Sequence, residues 1–155
     1  MKPVGKKIIA QNRKAKFEYE LLTLFEAGLV LQGTEIKAIR NHQVNLQRSY
    51  VQMSHGELWL MEAHITEYAH ANRDNHDPVR PRKLLLHRRE MFRIMEQLQQ
   101  KGLTCVPTML YLKDGRAKVE IALARGKKLH DKRDSVSKRE SDRQVERALR
   151  EKYRE

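Results

Sequence analysis

The chain has one cysteine, Cys105, among 155 residues. An internal disulfide and a cysteine-rich zinc site are both excluded. Cys105 lies in an apolar, strand-like run, so a buried thiol is expected there rather than a nucleophile. Apolar runs are short, and none approaches the ~20 residues that a membrane-spanning helix needs. Met1 to Ala10 carries only Ile8 and Ile9 as a strong apolar pair, which is no signal-peptide core, and a cytoplasmic protein is expected. Aromatic residues make up 6% of the chain, too few for the aromatic stripe with which some RNA-binding sheets stack bases. Catalytic signatures are missing as well. There is no G-x-S-x-G, no Walker loop and no H-E-x-x-H, and the carboxylates form no cluster of the kind a metal nuclease uses. His64, His70 and His76 recur every six residues, a spacing that matches no common ligand set. The expectation is a protein that is not an enzyme, with no catalytic residue, no metal and no cofactor.

Positive charge is what the chain has in excess. Lysine and arginine number 32 against 20 acidic residues, for a net charge of +12 and a pI near 10.0. That balance calls for a polyanionic partner, with nucleic acid the default. An anionic membrane surface is the rival, but no basic helix carries the broad apolar face that such binding uses. Release of counterions from phosphates would then be the largest affinity term. Lysine and arginine grip without identifying, so identity must come from RNA shape and unpaired bases. The length suits one domain plus a tail.

Residues Met1 to Lys16 read as a basic arm. Phe17, Tyr19 and Leu21 alternate with Glu18 and Glu20 and begin a long, bent strand that runs to Leu31, with a bulge or close backbone approach at Gly28. Thr34 is placed to cap a short helix ending at Arg40, with Glu35 in its positive first turn, Ile36 and Ile39 inward, and Lys37 and Arg40 outward. Val44 to Met53 and Glu57 to Ile65 form a hairpin around Ser54-His55-Gly56, in which Trp59 is a core or half-buried strand residue sooner than a stacking platform for a base. Glu67 to Lys83 is a polar loop. Met91, Ile94, Met95 and Leu98 give a helix over Arg88 to Lys101, stopped by Gly102. Leu103 to Leu112 is a buried strand, and Asp114-Gly115 is a two-residue hairpin signal. Several strands, one helix inserted before the last hairpin, and basic loops fit a mainly β fold with attached helices, an OB-like Greek-key barrel.

Lys118 to Arg133 closes that body and launches the tail. Val119, Ile121 and Leu123 alternate as in a half-buried strand, and Gly126 ends the pattern. The body is therefore 1–133 and the tail 134–155. The tail mixes charges densely and holds few large apolar residues, so it cannot offset its own ordering entropy. Yet Val145, Leu149 and Tyr153 are spaced by four, and Ser137 to Glu140 can form a capping box. A segment disordered when free and helical against a partner is expected.

The run G-K-K-L-H-D-K-R from Gly126 to Arg133, the string from Phe25 to Arg40, Asn12-Arg13-Lys14-Ala15, and Arg80 to His87 together resemble the SsrA-binding protein family, the partners of bacterial transfer-messenger RNA. The resemblance spans Asn12 to Arg133 and, more loosely, the tail. It implies an OB-like barrel that is not an enzyme and acts as a monomer on RNA. The body binds the tRNA-like end of transfer-messenger RNA and mimics the missing anticodon arm. The tail becomes helical on the ribosome, in the empty mRNA path and decoding centre. By motif, Asn12, Arg13, Lys14, Glu26, Leu85, Lys118, Lys127 and Lys128 fall at RNA-binding positions. His130, Asp131, Lys132, Arg133, Ala148 and Leu149 fall at positions of the ribosome-facing tail. A general OB-type or ribosome-associated RNA-binding protein without a single RNA target is the alternative.

Overall fold

The computed structural model describes residues 5–68, 75–100, 102–127 and 138–148. Twelve elements build the body: β1 (Lys6–Gln11), α1 (Arg13–Glu18), β2 (Tyr19–Leu29), α2 (Gly33–Arg40), β3 (Val44–Asn45), β4 (Tyr50–Ser54), β5 (Glu57–Met61), β6 (His64–Ile65), β7 (Arg82–Leu85), α3 (Arg88–Leu98), β8 (Leu103–Lys113) and β9 (Arg116–Gly126). Seven strands make one antiparallel sheet in the order β1-β8-β9-β2-β7-β5-β4, and β3 pairs with β6 beside it. β4 returns against β8, so the sheet closes on itself. This is the expected OB-like barrel with attached helices.

The long β8–β9 hairpin and β2 carry the body. Asp114 and Gly115 both take positive φ, 52° and 78°, as a tight hairpin turn of right-handed strands demands, and glycine accepts that angle without a Cβ clash. Inward rows pack Leu110, Val119 and Ala27 across three strands, joined by Leu84, Leu58, Leu60, Ile65 and the α2 residues Ala38 and Ile39. α3 adds Ile94 and Met95. Cys105 is fully buried, and burial pushes its thiol up to about 12.

Four local expectations change. The basic arm contains regular structure: over 6–11 it is an edge strand on β8, held because Ile9 enters the core while its lysines line an outer edge. Phe17 belongs to α1, not to β2. The helix forms because the Asn12 side chain accepts from the Ala15 N–H at 3.2 Å, and Ala15 packs on Val106 and Ala124. That small second cluster also explains why Ala124, at the far end of β9, is buried on the outer face. The irregularity in β2 lies between Leu21 and Thr23, so Gly28 marks a close approach and no bulge. Gln32, not Thr34, caps α2, where the Glu35 carboxylate accepts from the Gln32 N–H at 2.9 Å.

Glu35 then does more than serve the helix start. It and Arg82 are both fully buried and ion-paired, and Arg80 reaches the other carboxylate oxygen at 2.5 Å. Burial alone would push the Glu35 carboxyl up. The Gln32 N–H and the two guanidinium groups outweigh that and hold it below the usual carboxylate range. Arg82 also donates to the carbonyls of Ala63 and Pro78, so α2, β7 and the chain entering β7 are locked together. His76 does the same from the polar loop. It is buried, with Nε2 2.7 Å from the Ile65 carbonyl and Nδ1 2.9 Å from the Thr34 hydroxyl. The carbonyl needs a proton on Nε2, and in the neutral ring Nδ1 then accepts from the Thr34 hydroxyl.

Candidate nucleic-acid interface

Antiparallel register sets side chains of neighbouring strands in rows across the sheet. One outward row runs Tyr111 (β8), Lys118 (β9), Gly28 (β2) and Leu85 (β7). Glu26 lies two residues along β2 from Gly28, on the same outer face. Three of the positions singled out in the sequence, Glu26, Leu85 and Lys118, therefore meet from three different strands. They line one cleft of about 540 Å³ together with Gly28, Lys83, His87 and Met91.

Leu85 is 51% exposed, whereas its neighbour Leu84 is 3% exposed and in the core. β7 alternates strictly, with Arg82 and Leu84 inward and Lys83 and Leu85 outward, so Leu85 is no core residue. Beside it, Lys83 pairs with Glu57 at 2.8 Å. Glu26 is held by two groups that sequence reading passed over. The Tyr111 hydroxyl donates to one carboxylate oxygen, and the Lys113 ammonium stands 3.5 Å from the other. The tyrosine hydrogen bond is the largest effect on the Glu26 carboxyl; burial opposes it, and Lys113 and Lys118 add to it, so the carboxyl is held below its usual range. Burial and the same bond push the Tyr111 phenol up. Tyr111 is 2% exposed yet belongs to neither core cluster: it is covered on the outer face, with the Lys6 ammonium 4.2 Å from its ring centroid. The face thus offers an ionised, oriented acceptor, an apolar surface and lysines within one shallow cleft.

The remaining predicted positions sit elsewhere. Asn12 does not face outward. It is 2% exposed and donates to the carbonyls of Leu46 and Pro107 at 3.1 and 2.9 Å, so its place is to fasten α1 to the barrel. Arg13 and Lys14 are exposed on α1, and Lys14 is 3.8 Å from Glu18. Lys127 joins them, with its N–H on the Glu18 carbonyl at 2.9 Å and its ammonium 3.2 Å from the Lys16 carbonyl. This basic group lies at the Tyr19 end of β2, nine residues and about 30 Å of strand from Gly28. Of the predicted RNA-binding residues, the exposed and described ones therefore form two groups at opposite ends of one strand: Glu26, Leu85 and Lys118, and Arg13, Lys14 and Lys127. Residues 138–148 form a helix in which Ala148 is exposed, and the Arg139 guanidinium lies 5.4 Å from the Phe17 ring centroid. Lys128, His130, Asp131, Lys132, Arg133 and Leu149 lie outside the described residues.

Trp59 is half-buried, with its indole N–H 3.3 Å from the Ser54 carbonyl. Among the described residues there is no group of three or more histidine, cysteine or acidic side chains placed to hold a metal ion. No described helix is long and apolar enough to cross a membrane.

The family model described as SmpB protein matches residues 9–151. An SsrA-binding protein of Desulforudis audaxviator is 52% identical over 144 residues, covering 93% of this chain and 94% of the relative. Another, from Carboxydothermus hydrogenoformans, is 51% identical and covers 95% and 99%. A solved structure described as "tmRNA-SmpB: a journey to the center of the bacterial ribosome" superposes with a TM-score of 0.66 at 44% identity, covering 77% of this chain and 85% of that one. With the barrel, the gathered Glu26, Leu85 and Lys118, and a match over nearly the whole length, the chain belongs to the SmpB protein family.

Proposed function

We propose that this protein binds transfer-messenger RNA and delivers it to stalled ribosomes for trans-translation. The observation that carries this reading is the convergence of Glu26, Leu85 and Lys118 on one exposed outer face. A carboxylate kept ionised suits the amino and imino edges of unpaired bases, an exposed leucine suits a base plane, and a lysine suits phosphate. The body supplies the shape of the absent anticodon arm. The basic group of Arg13, Lys14 and Lys127 is a separate set of phosphate contacts at the far end of the barrel. The chain from Lys128 through Arg133 to Ala148 and Leu149 occupies the empty message path and decoding centre. The protein works in the cytoplasm as a monomer on RNA and is not an enzyme: its part is to hold and place an RNA.

Two measurements test this. Sequencing the RNA that copurifies from cells should return one dominant species, transfer-messenger RNA, whereas a broad mixture would instead fit a general OB-type module. In a direct titration of the tRNA-like RNA domain, Glu26→Ala and Lys118→Ala should each bind about tenfold or more weakly, the order of one lost charge-assisted contact. Wild-type affinity in both variants would remove this face from the RNA interface.

A further inference from the structure

β2 is eleven residues long, and its two edges are used unequally. β9 pairs along one edge from Tyr19 to Gly28, with a register shift between Leu21 and Thr23. On the other edge β7 pairs only at Gly28 and Leu29, and just beyond them the Val30 N–H donates to the Lys83 carbonyl at 3.0 Å. That bond fixes the parity. In an antiparallel ladder, alternate residues point both of their backbone groups at the same neighbour. Val30 and Gly28 face β7, so Glu26 and Leu24 face the same side, where β7 has already ended and the chain has turned into α3. Phe25 and Ala27 point the other way, into the ladder with β9. Among the described residues, the N–H and C=O groups of Leu24 and Glu26 have no strand partner. The side chains along this edge are those of a strand awaiting a neighbour. Leu24 stands on the outer face opposite Ala122 and is 55% exposed, and Leu22, at the register shift, is 44% exposed. On the inner side Phe25 is buried, and the Arg93 guanidinium of α3 stands 5.7 Å from its ring centroid. Arg93 is itself exposed and forms no ion pair with a described residue.

We propose that the open edge of β2 at Leu24 and Glu26 takes one strand of a partner protein, an extended segment that alternates apolar and acidic residues. Unpaired main-chain donors and acceptors at strand spacing call for another main chain, which a peptide supplies and RNA does not. Alternation then sets the side chains of the added strand. Its outward residue packs on Leu24. Its inward neighbours bring carboxylates to Arg93, on the opposite face of the strand from Glu26. Net charge selects in the same direction: a protein of +12 draws in an acidic segment and repels a second copy of itself.

Amide hydrogen exchange on the full chain tests the edge first. In the free protein the Leu24 and Glu26 amides should exchange about tenfold or more faster than those of Phe25 and Ala27, which β9 holds. A synthetic peptide of alternating valine and glutamate is then titrated in. It should slow those two amides and shift the NMR signals from Thr23 to Ala27. A twin methylated on its backbone nitrogens should not bind, and a twin with lysine in place of glutamate should bind about tenfold or more weakly. Leu24→Glu should weaken the glutamate peptide as much while keeping the melting temperature, and Arg93→Glu should reverse the preference in favour of the lysine peptide. If the Leu24 and Glu26 amides are already protected in the free monomer, the edge is closed and the proposal falls. It falls equally if no peptide binds, if the methylated peptide binds as well as its parent, or if Arg93→Glu leaves the preference unchanged. Protection of the Leu24 amide by the tRNA-like RNA domain would give the edge to RNA instead. Protection that grows with protein concentration would give it to a second copy.

Discussion

Glu26 shows how a surface carboxylate becomes a defined acceptor. On an open strand it would sample several rotamers. Here a hydroxyl from two strands away fixes one oxygen and a lysine draws the other. Its pKa lies below the usual carboxylate range, so the contribution to RNA binding proposed for it should be fully present above that range and lost as pH falls through the lowered value. Tyr111→Phe keeps the ring under Lys6 and removes only the hydroxyl. The Glu26 carboxyl should then titrate at higher pH, and RNA affinity should begin to fall at a correspondingly higher pH. A carbon-detected NMR titration of Glu26 in the two proteins measures the first, and binding across pH measures the second. An unchanged Glu26 titration would show that the hydroxyl does not hold it. Tyr111 was within reach of the sequence. The Asp114-Gly115 turn fixes the hairpin register, and counting back from Arg116 opposite Lys113 sets Tyr111 opposite Lys118. What counting cannot give is the neighbour on the next strand, because β2 and β8 each carry an irregularity that shifts their pairing.

At the scale of elements, periodicity located β2, the β4–β5 and β8–β9 hairpins and α3, but it missed β1 in the basic arm and β7 at the end of the polar loop, and it failed where polar groups decide. The string Phe17 to Leu21 alternates like a strand, yet the Asn12 cap and the small Ala15 against Val106 turn its first part into helix. The Glu35–Arg82 pair left no periodic trace at all, since a buried ion pair looks in sequence like two surface charges. Its removal is nonetheless the strongest single perturbation expected of this body. Glu35→Ala strands the fully buried Arg82 guanidinium and should cost about 3–5 kcal/mol in urea unfolding. Leu85→Ala, one strand over, should cost about 1 kcal/mol or less, because half of that side chain is already in water. A loss in the ~2–5 kcal/mol range of a buried leucine would return Leu85 to the core. The contrast matters for function, because only a residue with little structural duty can be read cleanly in a binding assay.

At the scale of the whole molecule, the proposed RNA-binding face and the proposed ribosome-facing tail belong to different parts of the chain. The outer face around Gly28 and the basic group around α1 stand at opposite ends of β2, and the helix over 138–148 follows beyond Lys127. With +12 of net charge, RNA affinity should fall steeply and log-linearly with salt, and a flat isotherm from low to moderate salt would exclude phosphate neutralisation as its main source. Among the described residues, neither core cluster of the body includes one beyond Ala124. A chain ending after Arg133 should therefore keep its melting temperature and bind transfer-messenger RNA nearly as the full chain does, yet fail to release stalled ribosomes. Helix formation beyond that point is the second requirement. Every residue of 138–148 is exposed, so the body lends this short helix little of the burial that usually stabilises one, and docking on a partner is expected to stabilise it. Val145→Pro breaks the helix in its interior without touching the barrel. It should leave RNA titration unchanged and abolish peptidyl transfer to alanyl-transfer-messenger RNA on ribosomes carrying truncated messages. If the truncated chain and Val145→Pro both support full transfer, the helix has no part in rescue, and the barrel alone delivers the RNA.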